Sequence, residues 1–86
     1  MPRVSEFYGI AVYVYYREHR PPHFHALYGG DEVEVSIESL TVLAGRLPPR
    51  AMGLVVEWAT LRRRELLQAW ERAVAHQPPG RIEPLR

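Results

Sequence analysis

The chain contains no cysteine and no lysine, and it has no long apolar run. Without cysteine there is no disulfide and no thiolate metal site, and a reducing cytoplasm fits such a sequence. No apolar segment approaches the roughly 20 residues that span a bilayer. The first residues lack the charged region and apolar stretch of a secretion signal, so a cytoplasmic, membrane-free protein is expected. All eleven basic residues are arginine, and the net charge is only +1. Compositional bias of the encoding genome accounts for the arginine. A charge this small gives no overall field for nucleic acid or an acidic membrane.

What is present is enough for one small domain. Eighty-six residues leave no room for a second core, and an apolar fraction of 47% is that of a folded protein. The most informative stretch is Glu18-His19-Arg20-Pro21-Pro22-His23-Phe24-His25. It holds three of the four histidines, beside a stiff proline pair and two arginines. Histidine titrates nearest neutrality and is the commonest metal ligand, so this cluster is the candidate chemical site.

Ile10 to Tyr16, IAVYVYY, is β-branched and aromatic throughout, and reads as a strand. His23 to Tyr28 and Asp31 to Ile37 read as a hairpin about Gly29-Gly30. That turn sets a register: Tyr28 opposite Asp31, Leu27 opposite Glu32, Ala26 opposite Val33, His25 opposite Glu34, Phe24 opposite Val35 and His23 opposite Ser36. Phe24, Ala26, Val33, Val35 and Ile37 then share an apolar face. His23, His25, Glu32, Glu34 and Ser36 share the other, and a slip of one residue would mix the sets. Leu40 to Leu43 allows a short fourth strand.

Pro48 and Pro49 mark a helix start, and Arg50 to His76 has helical periodicity through Val55, Ala59, Leu66, Trp70 and Ala73. Gln77-Pro78-Pro79-Gly80 ends it. The expectation is an α+β domain over residues 1–76, a three- or four-stranded antiparallel sheet packed on one long C-terminal helix. Residues 77–86 are expected to form a proline-rich mobile tail. One helix covers one sheet face, which leaves Tyr13, Tyr15, His23, His25 and Glu34 on an open one.

Three functions are compatible with that face. Tyr13, Tyr15 and Arg17 suit a protein interface, in which aromatic and arginine residues are enriched. His25 with Glu34, supported by His23 and Arg20, suits metal-free acid–base cleavage of RNA, with Arg17 and Arg20 on a phosphate and a tyrosine stacking a base. His19, His23 and His25, completed by Glu34, suit zinc or another divalent metal. The first reading needs no cofactor. Arg62-Arg63-Arg64 spans too much helix circumference to be one patch. Trp58 and Trp70 read as core, and Glu57 and Glu65 as surface charges. His76 near a helix C-terminus complements the dipole.

The histidine–proline element, Tyr28, Leu47-Pro48-Pro49-Arg50-Ala51, Glu57-Trp58, Glu65-Leu66 and Trp70 together resemble a small bacterial family, domain of unknown function 4160. The resemblance runs from about Ile10 to Trp70, and the end after His76 departs from it. It implies a small cytoplasmic protein often encoded beside a member of another family, domain of unknown function 2442. That arrangement is similar to a toxin–antitoxin pair. The expected function is therefore a protein-binding module, one component of a two-gene pair, with the neighbouring small protein or a second copy as partner. An RNA-directed toxin and a histidine-based metal-binding protein are the alternatives.

Overall fold

The computed structural model describes residues 2–16 and 20–86. Five strands, β1 (Arg3–Phe7), β2 (Ile10–Tyr13), β3 (His23–Tyr28), β4 (Asp31–Ser36) and β5 (Val42–Gly45), precede two helices, α1 (Pro49–Leu61) and α2 (Arg63–Val74). The strands form one antiparallel meander in chain order. The α+β class is as expected, but the sheet has five strands and the helix is two.

The β3–β4 hairpin has the register read from the sequence at all six positions. Gly29 alone of the turn pair has positive φ, 60°, the pattern of a type II′ turn. The alternation holds on both strands. Phe24, Ala26, Val33 and Val35 are buried on the helix-covered face, with Val12 of β2 beside Ala26.

β1 was not expected. Its ladder with β2 slips between Arg3 and Ser5. This bulge brings Val4 and Phe7 both into the core three residues apart, so no period of two is visible in the sequence. The turn to β2 is Tyr8-Gly9, both with positive φ. The fourth strand of the sequence reading is shifted: β5 begins at Val42, because Leu40 sits in the left-handed region within the β4–β5 connection.

The helical segment breaks at Arg62 (φ −119°, ψ 21°). Neither glycine nor proline is there. Two residues earlier the Thr60 hydroxyl donates to the Val56 carbonyl at 2.7 Å, a side-chain bond that bends helices. The Arg62 N–H is shared between the carbonyls of Trp58 and Ala59. The expected stripe is nonetheless correct: Val55, Ala59, Leu66, Trp70 and Ala73 are all buried. Trp58 centres the core of α1 against Phe7 and Phe24, with ring centroids 5.2 and 5.9 Å away. After the bend, α2 reaches the His23 end of β3, where Trp70 packs.

The proline-rich end corrects the expectation of a mobile tail. Ile82 is buried, its N–H donates to the Val4 carbonyl at 2.7 Å, and the Trp58 indole donates to the Glu83 carbonyl at 2.8 Å. Composition suggested a loose segment; an open β1 edge and a buried indole needing an acceptor hold it in place. Among the described residues, no helix is long and apolar enough to cross a membrane.

Candidate metal centre

His23 and His25 leave β3 on the face opposite Phe24 and Ala26, as their spacing of two requires. The face is not the open surface expected. His23 is 2% exposed and His25 8%. Trp70 of α2 lies against His23 with ring centroids 5.0 Å apart. Tyr15 stands edge-on to His25 at 4.4 Å and stacks in turn on Tyr13 at 6.0 Å. The two imidazoles touch each other at 5.3 Å. The cover comes from outside the hairpin: Tyr15, two residues past β2, and Trp70 of α2.

The carboxylates do not follow direct pairing. His25 faces Glu34 across the ladder, but its Nδ1 bonds Glu32 Oε2 at 3.0 Å. Glu34 turns to His23, with Oε2 3.6 Å from Nε2. Both contacts run on the same diagonal, which long side chains span in a twisted antiparallel pair. The expected His25–Glu34 pair is thus replaced by His25–Glu32 and His23–Glu34. Glu32 was placed on the correct face but given no role, because strand register alone does not report how side chains lean.

Tautomers follow from the partners. The Pro21 carbonyl can only accept, so His23 Nδ1 donates to it, at 2.7 Å. In the neutral ring Nε2 then carries the lone pair. In His25 the Nδ1–H likewise donates to the carboxylate of Glu32, and in the neutral ring the other nitrogen is the basic one. Pro21 follows a cis Arg20–Pro21 bond.

One ring nitrogen from each histidine and one Glu34 oxygen lie within 4.8 Å of one another. Ligands of a tetrahedral zinc ion at its usual bond lengths are about 3.4 Å apart, so small side-chain rotations bring the three to an ion. The carbonyl and the second carboxylate behind the histidines match the outer partners that orient metal-bound imidazoles. Beside the cluster is a cavity of about 220 Å³ lined by His25, Glu32, Glu34, Ala44 and Gly45.

His19 and Arg17 lie outside the described residues. Arg20 is exposed. The Tyr13 hydroxyl accepts from Arg3 Nη2 at 3.2 Å. That hydrogen bond, with Glu6 also beside the guanidinium, raises Arg3 above its ordinary value, so it stays charged. Tyr15 is engaged with His25.

No curated protein and no solved structure matches this chain. A family model does, over residues 9–71, which takes in β2 through most of α2 and all of the histidine site. The chain belongs to the family described as Domain of unknown function (DUF4160).

Proposed function

We propose that this chain is a divalent-metal-binding protein, with His23, His25 and Glu34 as ligands and zinc as the ion that suits them. One observation carries the reading. His23 Nε2 lies 3.6 Å from a Glu34 oxygen, with the imidazole buried and the carboxylate partly exposed. A cation at that point, a metal ion or a proton on His23, reconciles the two groups, and the His25 ring stands within reach of the same point. A His₂Glu set is a known zinc combination that keeps a position open, and the neighbouring cavity leaves room at that side.

Calorimetric titration of zinc into metal-stripped protein at neutral pH tests this. One equivalent should bind with a dissociation constant at or below about 1 µM. Glu34→Gln and His25→Ala should each weaken binding at least about tenfold. Absence of binding removes the metal and leaves a proton as the cation between His23 and Glu34, and binding unchanged by Glu34→Gln places the ion away from this cluster.

The second reading is the protein-binding module of a two-gene, toxin–antitoxin-like pair. A cavity of about 320 Å³ supports it, lined by Tyr8, Tyr28, Pro48, Arg50, Ala51 and Leu54. Both tyrosines are exposed there, a mixture of aromatic rings and arginine that interfaces favour. Co-purification with the product of the neighbouring gene, lost on Tyr8→Ala with Tyr28→Ala, is its test.

A further inference from the structure

The two edges of the sheet are treated differently. The β1 edge is covered by the C-terminal segment through the Ile82 N–H to Val4 carbonyl bond. β5 is the opposite edge, and all four of its residues are exposed. Among the described residues, its backbone hydrogen bonds go to β4 and its connection only.

Exposed edge strands are templates for further pairing, and proteins guard them with charges, proline or short irregular strands. The stretch Thr41-Val42-Leu43-Ala44-Gly45 has no charge and no proline. Val42 and Leu43 are 49% and 42% exposed. The guards present in the strand are its length of four residues and a register shift at Leu43.

We infer that β5 is a homodimer edge, pairing antiparallel with β5 of a second copy about a twofold axis to make one continuous sheet. Antiparallel pairing of identical strands is self-complementary by symmetry. The flanking charges fit this orientation. Glu38 lies in the turn before β5, and Arg46 follows its last residue; both are exposed. Antiparallel docking brings the Glu38 end of each copy to the Arg46 end of the other, twice per dimer. A parallel arrangement would set like charges together. Ala44 and Gly45 also line the cavity beside His25, so the second copy would wall that cavity. The inference does not depend on a bound metal.

Sedimentation of the full chain from about 10 to about 500 µM tests it, since a short edge gives a weak dimer. A concentration-dependent monomer–dimer equilibrium is expected. Val42→Lys should abolish it, with circular dichroism confirming the fold. Glu38→Arg and Arg46→Glu, both surface changes, should each raise the dissociation constant by about threefold or more, and the double exchange should restore it. A monomer throughout the range overturns the inference. So does a dimer that is indifferent to Val42→Lys and to both charge reversals.

Discussion

Glu34 lies opposite His25 in the β3–β4 ladder, yet its carboxylate faces the ring of His23. The same lean takes Glu32 to His25. Two acid–imidazole contacts therefore stack along one diagonal, and each histidine is held on one side while Glu34 bridges toward both. This makes the two carboxylates unequal: on the proposed metal reading Glu34 would be a ligand, and Glu32 would orient one.

Glu32→Gln tests that division. Its side chain is half exposed, so the fold should be unaffected. Zinc affinity should fall about 10- to 100-fold, the usual cost of losing an outer partner, measured by calorimetry. A change of less than about twofold would detach Glu32 from the site.

Trp70→Ala should destabilise the protein by about 3–5 kcal/mol in urea denaturation, since the indole is almost fully buried. Zinc binding should weaken as well, because His23 loses the ring it packs on. Trp70→Phe should keep most of both. Equal zinc affinity in Trp70→Ala, measured where it is still folded, would separate α2 from the site.

Gly45→Ala should cost at least about 2 kcal/mol. Gly45 has φ 71°, and a Cβ there would lie 2.2 Å from the Glu32 carbonyl oxygen. That backbone also carries the Arg46 N–H to Glu32 carbonyl bond, so β5 must move to relieve the contact. Thermal denaturation of the variant measures the loss, and a wild-type midpoint would contradict the close approach.

Deleting residues 79–86 should lower the melting midpoint by more than about 10 °C. The deletion exposes the pocket filled by Ile82 and removes the acceptors or donors serving Trp58 and Val4. Burying an isoleucine contributes about 1.5–3 kcal/mol and each hydrogen bond about 1 kcal/mol. An unchanged midpoint would mean that the segment adds nothing to the fold.

The hairpin that carries the site was legible because two independent signals agree there: a turn that needs Gly29, and alternation that survives only one register. The helical stripe was legible for the same reason, through Val55 to Ala73. β1 was hidden by its own bulge, which replaces a period of two with the Val4–Phe7 spacing of three. The helix break was hidden because no glycine or proline marks it, and the Thr60 hydroxyl bond beside it belongs to a residue that helices commonly tolerate. The burial of His23 and His25 could not be read locally, since Trp70 and Tyr15 supply the cover from elsewhere in the chain. The C-terminal packing was masked by a composition typical of linkers.

The contact between His23 and Trp70 gives the molecule an optical reporter of its own. There are only two tryptophans, and they sit in different surroundings: Trp58 among phenylalanine rings, Trp70 against an imidazole. Imidazole is a contact quencher of indole emission, and its strength in that role changes with its charge and ligation. Light from Trp70 should therefore respond to a change in the charge or ligation of His23, with Trp58 as the comparison, and no dye or label has to be attached to read it.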